Sequence, residues 1–457
     1  MSALGFRPVF LWSDVLIYVL LLGGGVWLVL ALRREYWRVA LRQVASNRPA
    51  MLSFGVLCLY GAIGFLDTMH LRLISPTNPT GGNVQSVLDL LCEPLLVRTE
   101  KTYSAPFATH LYTKETVPTP DGRQDRVYPR LRHAGQHLSD PSDAWRDIRA
   151  RLVQGLGWGL GTGVVLLLGF LSLRSLLRQR MPTPARPAAL MRHGLWTIGF
   201  LTAVAVLIAE VVVLSAGYHL LGTDKTGQDV LYIALKSVRT GLVIGTLTTL
   251  IAMPFAILFG VLAGYFGGRV DDIVQFVYTM LSSIPSILLI MAAMLIFLVG
   301  LTAKETILSA DERLVYLCGI MGLTSWAGLC RLIRAEVLKL REIEYIQAAD
   351  AFGVAHATIM LRHLVPNVMH IVLISVILDF SGLVLAEAVL AYVGIGVDPS
   401  MQSWGNMINQ ARLELAREPV VWWSLCAAFV FMLGLVLPTN VFGDAVRDAL
   451  DPRLRTQ

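Results

Sequence analysis

Apolar runs of about 20 residues recur along the chain, separated by short polar or arginine-rich stretches. A helix of about 20 apolar residues crosses a hydrocarbon core of roughly 30 Å. The pattern predicts spanning helices over 9–32, 51–66, 152–173, 195–216, 237–265, 273–298, 314–333, 368–392 and 422–442. Pro254 and Pro285 fall inside two of them. Bends there are tolerated where neighbouring helices satisfy the freed backbone groups, so both prolines are candidate hinges. The first run is read as a retained helix and not as a signal peptide, because it is long, has only Arg7 before it and lacks a small-x-small cleavage site.

The polar stretches orient these helices. Arg33, Arg34, Arg38, Arg42 and Arg48 follow the first run against one acid, Glu35, and Arg174, Arg178, Arg180, Arg186 and Arg192 follow the third with no acid among them. Cytoplasmic loops carry such excesses, which puts the N-terminus outside and, after nine crossings, the C-terminus inside. Residues 67–150 turn polar, with prolines, glycines and mixed charges, and form an external loop or small domain. Within it VQSVLDLLCEPLL has helical spacing and lies on the membrane surface or packs on the membrane helices, while the remainder reads as turns. Glu210, inside the fourth run, must face protein or water and is assigned a structural pairing role.

Between two long runs lies a charged stretch, residues 334–367, RAEVLKLREIEYIQAADAFGVAHATIMLRHLVPN. Ile343, Ile346, Ala349 and Phe352 recur every third residue and predict a short helix from about Leu340 with an apolar stripe. Gly353 suits the left-handed position that ends it. A second short helix over 355–364 stops before Pro366, which disfavours helical geometry at the residue preceding it. Arg331, Arg334, Lys339, Arg341 and Arg362 place the stretch in the cytoplasm.

Of the 457 residues, 55% are hydrophobic and 15% charged. With a mean hydropathy of +0.62, the chain is an integral membrane protein. Its net charge of +6 follows from cytoplasmic arginine and lysine and needs no nucleic acid. Of five cysteines, Cys58, Cys318, Cys330 and Cys426 sit in apolar runs and Cys92 in a loop, with neither disulfide nor metal spacing. No G-x-x-x-x-G-K-[ST] phosphate loop occurs, so any ATP that drives the protein is hydrolysed by another chain.

The segment QAADAFGVAHATIMLRHLVPN resembles the EAA loop of permease subunits of ATP-binding-cassette importers, with Gln347, Ala348, Ala349, Gly353 and Pro366 at the matching spacings. The sequence departs in having Gln347 for the motif glutamate, and His363, Leu364, Val365 and Pro366 for I-x-L-P. Four further stretches are similar to the C-type permease of dipeptide, oligopeptide and nickel importers. They are GTDKTGQDV, with Gly222, Thr223, Asp224, Gly227 and Asp229 and with Gln228 in place of arginine; AGYFGG; LAYVGIGVDPSMQSWGNMI, with Trp404 and Gly405; and the tail GDAVRDALDPRLR. The resemblance covers about 222–455, and VASNRPAML adds a weaker likeness to the lead into the first helix of such permeases.

The resemblance implies an all-α polytopic membrane protein, a type I importer permease core at 219–457 with its coupling loop at 334–367. Helices at 1–66, an external loop at 67–150 and an extra helix pair at 151–218 precede it. It implies ATPase coupling through Gln347, Ala348, Ala349, Phe352, Gly353 and Pro366. The implied partners are a second permease subunit, ATPase subunits that bind ATP and Mg, and a periplasmic substrate-binding protein, in a bacterial inner membrane. Peptide is the expected cargo, and Asp379 and Glu387, acids inside the eighth run, are candidate path-lining residues. Two other classes are weighed. A proton-coupled secondary transporter would carry protons on Glu210, Asp379 and Glu387. A membrane enzyme finds no His cluster, metal spacing or nucleophile-base pair on these helices.

Overall fold

A computed structural model describes residues 5–33, 35–74, 84–118, 124–180, 187–303 and 308–450. The order of elements begins with β1 (Gly5–Val9), α1 (Trp12–Leu32), α2 (Glu35–Ser46), α3 (Arg48–Thr68), β2 (His70–Ile74) and β3 (Val84–Ser86). Two short helices, α4 (Val87–Leu91) and α5 (Glu93–Val97), lead to β4 (Glu115–Pro118) and β5 (Gln124–Val127). Long helices follow: α6 (Ala144–Arg180), α7 (Pro187–Ser215), α8 (Val230–Phe266), α9 (Gly268–Ser283), α10 (Ser286–Ala303), α11 (Ala310–Ser325) and α12 (Ala327–Leu340). After α13 (Glu344–Ala351) and α14 (His356–Ile359) a π turn over Met360–Leu364 runs into α15 (Val365–Tyr392). The chain closes with α16 (Trp404–Glu414) and α17 (Trp423–Leu450).

Among the described residues seven helical stretches are long and apolar enough to cross a membrane, and the bent pair α9 and α10 makes an eighth. Helix α1 adds the apolar segment Trp12–Val26. The run expected over 273–298 is broken, not continuous: α9 and α10 meet at Ile284 and Pro285 with an 88° bend. Proline removes an N–H from the helix ladder and disfavours helical geometry before it, and Ile284 is extended there. Pro254, the other candidate hinge, stays inside an unbroken α8.

The chain divides into two compact units. One comprises Met1–Leu88, Ala234–Arg412 and Ala428–Gln457. Its core lies between α8, α12 and α15, where Val261, Ile333, Val337, Ile346, Ile359, Leu364 and Val368 are buried together. In the same unit α1 is fastened by charge. The Arg239 side chain donates to Asp14 at 2.6 Å and to Ser13 Oγ at 2.7 Å, and Ser13 also donates to Asp311. His70 Nδ1 lies 2.8 Å from Asp14, whose side chain is wholly buried. Removing one member of such a dry cluster would strand a charge, so it fixes where α1 sits. Strands β1, β2 and β3 form a small antiparallel sheet beside it.

The other unit comprises Asp89–Ile233 and Leu413–Ala427. Helices α6 and α7 form its antiparallel hairpin, with Gly155, Gly159 and Gly163 facing Glu210, Val206 and Thr202. A Cβ on Gly159 would meet the Val206 backbone at 2.4 Å, the close approach that small residues permit between membrane helices. Glu210 is not paired as expected. Its carboxyl packs against Gly155, and its Oε2 has no hydrogen-bond partner among the described residues. The polar region is also more ordered than turns alone. It holds the β4–β5 hairpin, and VQSVLDLLCEPLL is a strand followed by two helical turns, broken at Cys92 just before Pro94.

Candidate functional site

The segment after α12 begins where Arg341 N–H still bonds Val337 O at 2.9 Å and the helix then opens over 341–343. In α13 Ile346 is buried and Ala349 packs on the same core, but Ile343 is exposed and Phe352 is 87% exposed. The expected four-residue stripe is therefore two residues wide. At 3.6 residues per turn each step of three lags by about 60°, so Phe352 ends up on the side opposite Ile343. Gln347, Ala348, Asp350 and Ala351 are exposed with it, and Gln347 donates weakly to Glu342 at 3.4 Å.

Gly353 has φ +75°, and its N–H bonds Asp350 O at 2.9 Å while Val354 N–H reaches back to Ala349 O at 3.1 Å. A side chain here would meet nothing within 4 Å, so the glycine serves the left-handed backbone and not a tight space. The following helix does not stop before Pro366 as expected. It passes through the π turn and continues as α15, with Pro366 as the second residue of α15. Asn367 Nδ2 donates to the Tyr345 hydroxyl at 2.9 Å and ties α13 to α15. Arg334 clasps Asp271 through two hydrogen bonds, one of them 2.6 Å long, and so joins α12 to the start of α9.

A cavity of about 560 Å³ opens at the 88° bend. Its walls carry hydroxyls from Thr249, Ser282, Ser286, Thr324 and Ser325, aliphatic groups from α8 and α10, and the charged groups of Arg331 and Asp379. Arg331 is engaged already, with its guanidinium 5.6 Å from the Tyr278 ring centroid and donating to Ser282 Oγ at 3.4 Å. Asp379 is exposed to the cavity and has no hydrogen-bond or ion-pair partner among the described residues. Glu387 lies two turns further along α15 and is buried, its carboxylate against Gly405 of α16. The two acids share a helix but open onto different surroundings.

The stretch GTDKTGQDV is a scaffold buried at Gly222, Thr223, Gly227 and Asp229, with Lys225 and Thr226 exposed. Thr223 Oγ1 accepts from Ser104 N–H at 2.7 Å and donates to Thr102 O at 2.9 Å, while Trp423 Nε1 donates to Thr223 O at 3.0 Å. Asp224 accepts from the N–H of Thr226 at 2.8 Å and of Gln228 at 2.9 Å, closing the turn. Gly222 has φ +71°. Gly227 has φ +77°, and a Cβ there would stand 1.9 Å from Glu100 O, so no other residue fits without moving the backbone. Asp229 caps α8 by accepting from Leu231 N–H at 2.9 Å, and it holds His219 Nδ1 at 2.7 Å.

His219 was not singled out in the sequence, yet it is the centre of this scaffold. Its other ring nitrogen lies 3.6 Å from Glu100. Burial alone would lower its pKa, but Asp229 and Glu100 outweigh that and hold it at about 9. Burial would raise the Glu100 carboxyl, but the His219 ring 3.6 Å away and hydrogen bonds from the N–H groups of Arg132, His133 and Ala134 bring it down to about 2. Trp404 differs from a membrane-interface tryptophan. It is 2% exposed, packs over Gly241 and donates to Ala234 O at 3.1 Å.

Residues 256–456 match the family described as the binding-protein-dependent transport system inner membrane component. The chain is 32% identical over 239 residues to the oligopeptide transport system permease protein of Haemophilus influenzae, covering 52% of this chain and 72% of that protein. It is 31% identical over 237 residues to the oligopeptide transport system permease protein of Bacillus subtilis, covering 52% and 72%. The dipeptide transport system permease protein of Bacillus subtilis is also 31% identical over 237 residues, covering 52% and 69%.

Proposed function

We propose a mode of action from the premise that the chain belongs to the family of inner membrane components of binding-protein-dependent transport systems. It is the multi-pass permease subunit of an ATP-binding-cassette importer in a bacterial inner membrane. The cargo is a peptide, by analogy with the oligopeptide and dipeptide systems to which the related permeases belong. A second permease subunit completes the translocation path, a periplasmic binding protein delivers the cargo, and partner ATPase subunits bind ATP and Mg and supply the free energy.

One observation carries this reading: a short helix with an exposed, small-residue surface and a protruding Phe352 is joined through Gly353 and the π turn to the long helix α15. Gln347, Ala348, Phe352 and Gly353 form the surface that docks on the ATPase. Ala349 backs that surface from the core, and Pro366 marks where the segment enters the membrane helix. Asp379 lines the path, whereas Glu387 holds α16 against α15. Gly222, Thr223, Asp224, Gly227, Asp229, Trp404 and Gly405 shape the external side.

Purification of the chain in mild detergent with its genomic neighbours, followed by reconstitution into liposomes, tests the reading. Co-elution of an ATPase and a second permease is expected, with uptake of labelled peptide that requires ATP and the binding protein. Uptake driven by a proton gradient without ATP would overturn it.

A further inference from the structure

Asp379 poses a problem of charge. It stands at the middle of a membrane-spanning helix, where an isolated carboxylate is costly, and no cation of this chain lies within ion-pair distance among the described residues. Arg331 lines the same cavity, with its guanidinium 5.6 Å from the Tyr278 ring centroid and 3.4 Å from Ser282 Oγ, and makes no ion pair with Asp379. Nothing among the described residues pairs with it, so a cation that passes through the cavity, or one on a neighbouring subunit, can do so.

The surroundings favour the first source. Where this chain uses helix-borne ions to hold itself together, it buries them: Asp14 is wholly buried and Arg239 is 7% exposed, each with several partners. Asp379 is the reverse, exposed and facing an open cavity. Thr324 and Ser325 line that cavity with hydroxyls whose hydrogens go to backbone carbonyls of α11, which leaves their oxygens to accept from a cationic solute, and Ser282 and Ser286 add two more hydroxyls. A volume of about 560 Å³ is in the range of small-ligand sites.

We propose that Asp379 is the transient counter-ion for a cationic group on the cargo, the protonated amine of a peptide's amino terminus, as the cargo crosses the cavity at the α9–α10 bend. The proposal rests on the peptide reading above and adds a specificity-determining residue to it. The interaction exists only while cargo is in transit, so its removal slows passage without disturbing assembly.

The test uses the complete transporter in liposomes with its binding protein and ATPase. Uptake is measured for a tripeptide and for its des-amino analogue, each presented at saturating binding protein, with Asp379 intact, as Asp379→Asn and as Asp379→Glu. Expected is a loss of roughly tenfold or more in tripeptide uptake in Asp379→Asn, recovery in Asp379→Glu, and little change for the des-amino analogue in either. Co-purification of the second permease and of the ATPase should be the same in all three. Equal tripeptide uptake by the wild type and Asp379→Asn would overturn the role of Asp379 and leave the peptide reading standing. Loss of the second permease from Asp379→Asn would overturn it in favour of a fixed pair between subunits. A wild-type transporter that imports neither compound would sink the peptide reading and this proposal with it.

Discussion

At the scale of single residues, Gly353 and Gly227 look alike in sequence but are held by different constraints, and their substitutions separate. Gly353 has φ +75° in open space, so Gly353→Val should cost on the order of 1 to 2 kcal/mol locally. Membrane insertion should be normal while peptide uptake is lost, because the side chain alters the docking surface; unchanged uptake would remove that surface from coupling. Gly227→Val meets Glu100 O at 1.9 Å and should instead loosen the external scaffold, read as faster hydrogen exchange in residues 100–134. His219 and Glu100 give that scaffold a pH window. His219, raised from 6.5 to about 9, stabilises fully below about pH 6.5 and loses that contribution as pH rises through about 9. Glu100, lowered from 4.5 to about 2, stabilises above about pH 4.5 and loses it as pH falls through about 2. Hydrogen-exchange protection of the scaffold should therefore be greatest between about pH 4.5 and 6.5, and His219→Gln should abolish the alkaline decline. The His219 role was illegible in sequence because its two acids stand 119 and 10 residues away, Glu100 before it and Asp229 after it.

At the scale of elements, hydropathy located the membrane-crossing helices, since it acts within a few turns of chain. Three features escaped. The break at Pro285 was marked by a residue that Pro254 shows to be compatible with an unbroken helix. Trp404, a residue type common at lipid interfaces, is buried against α8, which its motif alone did not say. Phe352 fell on a period of three that a helix does not keep. The coupling segment gives the test at this scale. Ala349 is half-buried under α13, so Ala349→Glu drives a charge between the segment and its core, whereas Phe352→Ala removes only exposed surface. Both should lower ATPase co-purification, but only Ala349→Glu should also raise protease sensitivity near 341–353. Wild-type ATPase retention by both variants would reduce the segment to a plain loop.

For the whole molecule, the alternation of arginine-rich and polar stretches is the ground for the expected side of each connection. Much of the second arginine run, and the end of the C-terminal motif, lie outside the described residues, so orientation is best tested elsewhere. Lys101 and Lys339, both with exposed side chains, fall on opposite faces in this topology. In a variant lacking the five native cysteines, Lys101→Cys should react with an impermeant thiol reagent from outside intact cells and Lys339→Cys only after the membrane is opened. Reaction of both from the same side would invalidate the nine-helix topology. The sequence likeness extends over about half of the chain. The ion cluster around Asp14 and Arg239 shows that at least α1, which precedes that half, is built into the same compact unit.

The continuity of the π turn with α15 has a mechanical consequence. Helix α15 has 28 residues, a rod of about 42 Å at 1.5 Å per residue, and Asp379 is its fifteenth residue, at the midpoint. A rod tilted by about 10° about its centre carries each end through roughly 3 to 4 Å while the centre stays in place. Motion imposed at the cytoplasmic end would therefore reappear at the external end with the same amplitude and opposite sense. The carboxylate at the fulcrum would turn without travelling.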